Sequence, residues 1–263
     1  MDDKEFRKWN SVMFNKYGND RVYYHPNPLI RYIENRRVSA IIRAIGEANT
    51  VLEVGCGEGH VLSLLNAKRK IGIDISKKAL KIASERTGAQ VALADAENIP
   101  FADGCFDALV CTEVLEHTRN PRRVIKECMR VVKNGGIIVI SIPNEKRINF
   151  FKDLVWKLGL SRLFSGVPKR MDSEWHLHSF DLEMLKKITP WERVRRVIGV
   201  PFLLSLRYVV ILENKNKSKR EVSYLCPDCR ISLSQLGKKF ECKNCKRKFE
   251  SFPFLELLPK GFL

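Results

Sequence analysis

The sequence predicts an α/β protein: a mostly parallel sheet with helices on both faces, followed by a small metal-stapled module. Three observations predict it. Short apolar runs alternate with helical patterns from Thr50 to Ile142, a glycine-rich turn closes the first of these runs, and two C-x-x-C pairs lie beyond residue 225. Such alternation builds parallel strands joined by helical crossovers.

The elements follow in chain order. Residues 1–48 are polar and read as an N-terminal cap. Strands are expected at Thr50–Val54, Lys70–Asp74, Val91–Ala94, Phe106–Cys111 and Gly136–Ile142, with helices near Gly59–Asn66, Lys77–Thr87 and Pro121–Val132 between them. Asn134, Gly135 and Gly136 stop the last helix before a β-branched strand. Two further apolar runs, Arg195–Val200 and Leu206–Glu213, finish the sheet as a pair and bring it to seven strands. Residues 144–190 form an insertion between the two groups of strands. Asn214 to Glu221 (NKNKSKRE) is almost wholly polar and serves as the linker from a first domain, 1–213, to a second, 222–263.

Composition bounds the class. The hydrophobic fraction of 44% is ample for a core, and the 8 cysteines split into four scattered ones and four in the paired C-x-x-C knuckles. The opening MDDKEFRK is charged, and the longest apolar stretch, Val197–Leu212, is interrupted by Gly199, Pro201 and Arg207. Neither a signal peptide nor a transmembrane segment is expected, and a cytoplasmic location is. Charge is the unusual property: 47 Lys and Arg against 30 Asp and Glu give a formal +17. Such a surface attracts polyanions, among them nucleic acid, anionic lipids and phosphorylated small molecules. A basic composition that only serves solubility is the plain alternative.

The turn after the first strand reads Glu53-Val54-Gly55-Cys56-Gly57-Glu58-Gly59. Its glycines let the backbone bend sharply and approach a ligand with no Cβ in the way. Dinucleotide-binding turns use G-x-G-x-x-G, whereas here the third glycine comes one position early and His60 stands where that pattern wants glycine. Glu53 suits an ammonium better than a pyrophosphate.

The run VLEVGCGEG resembles motif I of class I S-adenosylmethionine-dependent methyltransferases, and the resemblance continues in order through most of the first domain. IGIDIS ends the second strand on Asp74, ALADAENIPFADGCFD carries Asp95 and Ala96, LVCTEVLEH follows the fourth strand, and VVKNGGIIVISIPN resembles the last parallel strand. The resemblance implies a Rossmann-like sheet and S-adenosylmethionine as co-substrate. It places Glu53, Gly55, Cys56, Gly57, Gly59, Asp74, Ile75, Asp95, Ala96 and Thr112 around that compound, with Asp74 on the ribose hydroxyls and Asp95 and Ala96 at the adenine edge. The chemistry agrees, because an ammonium, a vicinal diol and an exocyclic amine are all donors that carboxylates at successive strand ends accept. Ile75 and Ile99 are candidates to pack on the adenine faces. Acidic helix caps in an ordinary α/β fold are the alternative reading of each carboxylate taken alone.

Methyl transfer from a sulfonium needs alignment and exclusion of water, and an oxygen acceptor also needs a base. His117, just past the fourth strand, and His176 and His178, in DSEWHLHSF on the insertion, are the catalytic candidates. For His117 a capping or packing role is the alternative, and for the other pair a surface loop or a metal pair lacking a third ligand. Phe151, Leu154, Val155 and Leu158 recur at helical spacing among Lys146, Arg147, Lys152, Lys157, Arg162, Lys169 and Arg170. They make either a lid helix packed on the sheet or, with Tyr23, Tyr24 and Tyr32, an apolar pocket with a basic rim. That pocket would take a lipid-linked or anionic small molecule, with peripheral membrane contact. The EVLEH and SIPN segments resemble the ubiquinone and menaquinone biosynthesis group of methyltransferases, which implies O-methylation of a small-molecule, lipid or glycan acceptor. The N/D-P-P-Y/F signature of base-amino methylation is absent, since the fourth strand is followed by Cys111-Thr112-Glu113-Val114.

Cys226, Cys229, Cys242 and Cys245 form two knuckles around a spacer of residues 230–241. Four thiolates at this spacing fill a tetrahedral Zn²⁺ and staple a unit too small for its own core, so the metal is structural. The module resembles the zinc ribbon of the small activator subunit of tRNA and protein methyltransferases, although Ser251-Phe-Pro-Phe departs from the usual turn. Lys238, Lys239, Lys243, Lys246, Arg247 and Lys248 give it a basic face for phosphates, or its apolar tail docks on the first domain. Two other functions remain open at this point: an RNA methyltransferase that grips its substrate with the ribbon and the basic surface, and a non-catalytic cofactor-binding scaffold.

Overall fold

The structure, a computed structural model, describes residues 2–17, 23–159, 176–215, 221–237, 239–251 and 254–259. Arg162, Lys169, Arg170, Lys238 and most of the expected linker lie outside these residues.

Two helices precede the sheet, α1 (Asp3–Tyr17) and α2 (Pro28–Ile45). Asn27 starts α2, its side chain accepting from the Leu29 N–H, with Pro28 in the first turn where no donor is lost. There follow β1 (Glu47–Val54), α3 (His60–Leu64), β2 (Asn66–Asp74), α4 (Lys77–Thr87), β3 (Gln90–Leu93), β4 (Phe106–Thr112), α5 (Pro121–Val131) and β5 (Val132–Pro143). Then come α6 (Glu145–Lys157), α7 (Leu182–Ile188), β6 (Val194–Val200) and β7 (Arg207–Glu213). The C-terminal module holds β8 (Ser234–Leu236), β9 (Lys239–Glu241), β10 (Lys248–Glu250) and β11 (Leu255–Glu256).

The main sheet runs β11-β3-β2-β1-β4-β5-β7-β6, with β7 antiparallel to both of its neighbours and every other pairing parallel. This is the mostly parallel, Rossmann-like sheet expected from the sequence, with one strand more than the seven expected. The eighth, β11, is two residues long and comes from the C-terminal module, so neither length nor alternation marked it. The interior strands are apolar on both faces because helices cover both. Leu52 and Val54 enter one core layer with Val124, Ile125 and Cys128 of α5, while Val51, just before them, enters the other with Ile41 of α2 and Leu80 of α4.

The expected helix stop at Asn134–Gly136 shifts. Helix α5 ends at Val131, and β5 begins at Val132 with an irregular excursion, since pairing with β4 jumps from Phe106↔Val132 to Ala108↔Ile137. Asn214 closes the excursion: its amide donates to the Val132 carbonyl, and its backbone bonds both Gly135 and Gly136. The glycines shape this bulge; they do not end the helix.

The C-terminal module is docked along the β3 edge. Leu255 pairs with Ala92 and Glu256 with Leu93, the Leu257 N–H donates to the Leu93 carbonyl at 2.7 Å, and Lys77 meets Glu256 at 2.5 Å. Leu257 and Leu258 are wholly buried. The edge of an open sheet presents unpaired amides and carbonyls, and this tail covers them.

Candidate functional site

All parallel strands point their C-terminal ends to one side, where ligands bind in open α/β sheets. The loop after β1 turns back over β2: the N–H groups of Gly55 and Cys56 both donate to the Ile73 carbonyl, at 2.8 and 3.0 Å. Gly55 has φ 70°, and a Cβ there would stand 2.3 Å from Val114 Cγ2, so only glycine fits between the turn and the segment after β4. Gly57 and Gly59 are also left-handed. Cys56 is buried, with its sulfur directed into the core beside Gly72, so only its backbone faces the loop's outer side.

Glu53 lies beneath this turn, 2% exposed, and its Oε2 has no hydrogen-bond partner. Burial is the main cause pushing its pKa well above the ordinary carboxylate range, with Asp74 adding and Arg37 opposing. A buried acceptor without a donor is costly and invites one. Asp74, at the tip of β2, receives the Gly57 N–H on Oδ2 and the Ser76 N–H on Oδ1, both at 2.8 Å. It therefore ties the β1 and β2 loops together, and each oxygen keeps a lone pair for a hydroxyl. Burial raises its pKa. Asp95, just past β3, caps the short turn 96–98 by accepting the Glu97 N–H at 2.9 Å, and its other oxygen lies 3.6 Å from Arg119 Nη2.

These tips surround one cavity. Among the expected cofactor residues, Gly55, Asp74, Ile75, Asp95 and Ala96 line it, and so does His117. Glu53, Cys56, Gly57, Gly59 and Thr112 stand behind the lining, with Thr112 buried at the end of β4. Ile99 is wholly buried in the core below and faces no ligand, contrary to the sequence reading, because the chain turns inward between Asn98 and Phe101. Sequence reasoning missed Phe6 and Asn10, which line the cavity from α1. Phe6 is 3% exposed and lies under the Arg119 guanidinium, 4.7 Å from ring centroid to carbon. The apolar-polar rhythm of α1 was the available signal. Sequence reasoning takes residues 1–48 only as a polar cap and assigns no helix there.

At one side of the cavity His117 meets His176. His176 Nδ1 is 2.7 Å from Glu145 Oε1, its ring centroid is 5.0 Å from that of His117, and His117 Nε2 is 4.0 Å from Glu116 Oε1. The Leu177 N–H donates to the Glu116 carbonyl at 2.7 Å, which fastens the insertion to the segment after β4. His178 takes another part, its Nε2 bonding the Arg119 carbonyl at 3.2 Å. Glu116 is 1% exposed, and burial beside Glu113 pushes its pKa well up. Neither Glu116 nor Glu145 was singled out in the sequence.

A buried ionic network backs this region, also unforeseen. Glu34 of α2 pairs with Arg37 at 2.9 Å and with Arg207 of β7 at 2.9 Å, and Arg207 also pairs with Glu113. Arg37 donates to the Tyr23 hydroxyl at 3.0 Å. Tyr23 is thus held half-buried, its ring stacked on His60 with centroids 3.7 Å apart, whereas Tyr24 and Tyr32 are exposed. Glu113 has φ 55°, unusual away from glycine and typical of residues held by their surroundings.

The four module cysteines bring their sulfurs within 4.8 Å of one another, with Cys226 Sγ and Cys245 Sγ 3.8 Å apart. Tetrahedral Zn–S bonds of ~2.3 Å set sulfurs ~3.8 Å apart, so the donor set fits that ion. The two knuckles are built alike: Arg230 and Lys246 return their N–H groups to the Cys226 and Cys242 carbonyls at 2.9 Å, each in the left-handed region.

Residues 52–140 match the family model described as "Methyltransferase domain". An uncharacterized protein of Methanocaldococcus jannaschii is 38% identical over 131 residues, covering 49% of this chain and 60% of that protein. The tRNA (carboxymethyluridine(34)-5-O)-methyltransferase of Arabidopsis thaliana is 36% identical over 115 residues, covering 43% of this chain and 28% of its own. The demethylmenaquinone methyltransferase of Thermotoga maritima is 36% identical over 140 residues, covering 48% and 61%. The chain thus spans less than two thirds of these relatives. A solved chain from the complex between the Haloferax volcanii Trm112 methyltransferase activator and a candidate methyltransferase superposes with TM-score 0.57 at 14% identity, over 81% of this chain and 99% of that one, and shares the fold.

Proposed function

We propose that this chain, which carries a class I S-adenosylmethionine-dependent methyltransferase domain, methylates an oxygen of a small-molecule, lipid or glycan acceptor. The observation that carries the reading is Glu53: a buried carboxylate with an unpartnered oxygen, behind a glycine turn and two further acidic strand tips around one cavity. S-adenosylmethionine supplies an already activated methyl group. The residues do the rest. Glu53 receives the ammonium of the methionine portion, Asp74 the ribose hydroxyls, and Asp95 with the Ala96 backbone the adenine edge. Gly55, Gly57 and Gly59 leave room for the chain to bend around the bound compound, while Phe6 of α1 excludes water. His117 and His176 stand on the acceptor side and take its hydroxyl proton, His176 being oriented by Glu145.

An apolar, basic-rimmed acceptor surface fits the exposed side chains. Leu154 and Trp156 of α6 and Leu158 just past its end are exposed in a stretch that also carries Lys152 and Lys157, and Phe202 and Leu203 are exposed at the β6–β7 turn. No helix among the described residues is long and apolar enough to cross a membrane, so contact with lipid would be peripheral.

Residues 222–263 form a zinc ribbon with Zn²⁺ on Cys226, Cys229, Cys242 and Cys245, and the methyltransferase unit is 1–213, joined through 214–221. The ribbon serves in cis as a brace, in the manner of the activator subunit it resembles. Its support reaches the cofactor side directly. Arg230 donates to Asn98 Oδ1 and the Ile99 carbonyl, and the Leu225 N–H to the Pro100 carbonyl, so it grips the segment that leaves Asp95 and Ala96.

A second reading, an RNA acceptor, draws on the formal +17 and on the tRNA methyltransferase relative. Incubation with methyl-labelled S-adenosylmethionine and separate lipid, glycan and RNA fractions decides. Label in lipid or glycan supports the first reading. Label only in RNA, together with binding that weakens steeply with salt, replaces it with the second. Label in none contradicts both.

A further inference from the structure

We propose that Arg119 is a positioning residue that latches α1 over the adenine end of the cofactor and aligns Asp95 beside it. The proposal deepens the function given above and rests on it for what fills the cavity.

Arg119 lies between β4 and α5, and its side chain meets two elements distant in sequence. Nη2 is 3.6 Å from Asp95 Oδ2 and Nε is 3.8 Å from Glu97 Oε1, both in the segment that leaves β3. The guanidinium carbon stands 4.7 Å from the centroid of the Phe6 ring, on α1. Phe6 and Asp95 both line the cavity, as does Thr118 next to Arg119 in the chain. One cation therefore joins a wall supplied by α1 to a wall supplied by the β3 tip.

The backbone beneath this side chain is fixed from two directions. The Arg119 and Asn120 N–H groups both donate to Glu97 Oε1, at 2.9 and 3.0 Å, and the Glu97 side chain is itself buried. The Arg119 carbonyl accepts from His178 Nε2 at 3.2 Å, which ties the insertion to the same point. The guanidinium thus starts from a rigid base and points to a set place.

Two physical effects follow. A guanidinium over a ring face is attracted to it, more strongly where water is excluded. Phe6 is the only buried residue among the described ones of α1, so the contact acts on the ring that seats the helix. Second, Asp95 accepts the Glu97 N–H on Oδ1 and turns Oδ2 toward Arg119. At 3.6 Å the guanidinium orients that oxygen by charge, and a carboxylate oxygen has room for a further donor, the adenine amine. Release of the bound compound requires α1 to lift from the cavity, and the Arg119–Phe6 contact governs how readily it does.

The test measures S-adenosylhomocysteine binding to the full chain, wild type against Arg119→Gln, Phe6→Leu and the double variant. Arg119→Gln should weaken binding about 3- to 30-fold, mostly through faster dissociation. Phe6→Leu keeps apolar bulk and removes the ring face, so Arg119→Gln should cost less in that background than in wild type. Hydrogen exchange supplies a readout that general destabilisation does not reproduce: ligand-induced protection of residues 3–17 should fall in Arg119→Gln, while that of α4 stays. Arg119→Lys keeps the charge and the packing stem; it should lose less affinity than Arg119→Gln, and it carries the comparison if Arg119→Gln fails to fold. Unchanged affinity and α1 protection in the Arg119 variants overturn the latch, and so do fully additive losses in the double variant. A wild-type chain that binds no S-adenosylhomocysteine overturns the function reading and the latch with it, whereas normal binding indifferent to Arg119 removes the latch alone.

Discussion

Leu255, ten residues past the last cysteine knuckle, pairs in parallel with Ala92 of β3, so the tail of the cysteine module is a strand of the main sheet. Cys226, Cys242, Phe249 and Leu257 enter the same core layer as Leu52 and Leu109. The module and the cofactor side are thus one packed structure. Leu257→Ala should cost about 2–5 kcal/mol of stability, as in other wholly buried leucines, measured by denaturant unfolding. Removing zinc by chelation should weaken S-adenosylhomocysteine binding as well, because Arg230 and Leu225 would release the 98–100 segment. Unchanged affinity after verified zinc loss would dismiss the bracing role.

Glu53 makes cofactor affinity depend on pH. Burial raises its pKa in the free protein, and it must ionise to receive an ammonium. Binding then releases a proton, and affinity climbs with pH through that raised pKa. The fall on acidification should begin above the ordinary carboxylate range. Glu53→Gln should flatten the profile and lower affinity about 10- to 100-fold at neutral pH, the worth of one charge-assisted bond. Titrations at several pH values in two buffers of different ionisation enthalpy measure both.

At Gly55, φ is 70° and the space for a Cβ is filled by Val114. Gly55→Ala should lower stability by roughly 1–3 kcal/mol from overpacking and strain. It should also weaken the cofactor at least tenfold. Adding Val114→Ala should recover part of the stability and none of the backbone cost. Full recovery of both would show that the left-handed turn itself is dispensable.

The Glu34–Arg37–Arg207–Glu113 network tests how the N-terminal cap is held. Arg207→Met leaves Glu34 and Glu113 short of a partner in a buried setting, which costs about 3–5 kcal/mol in comparable sites. Glu34 is held low by its two arginines against a large burial cost, so its contribution is present above its unfolded pKa and fades as pH falls through the folded value. Loss of Arg207 should shrink that acid-side dependence in unfolding measured against pH.

The sequence made the sheet legible where strands were long and alternated with helices. Residues 77–87 show this best: Ser76 caps the helix and Gly88 ends it in the left-handed region, both plain in the sequence. The acidic tips were legible because each follows an apolar run. What escaped depends on contacts between distant segments. Phe6 reaches the cavity only because α1 folds across it, and Glu116 meets His176 only through backbone bonds across sixty residues of chain. Local periodicity carries no information on either. The strand β11 escaped for another reason: two residues define no period.

The most direct measurement is calorimetric titration of the full chain with S-adenosylhomocysteine, alongside Asp74→Asn. One molecule should bind per chain, and the variant, still folded by circular dichroism, should bind about 10- to 100-fold more weakly. Absence of heat from well-folded wild-type protein, or equal affinity in the variant, would contradict the assignment of the cavity at the strand tips to this nucleoside.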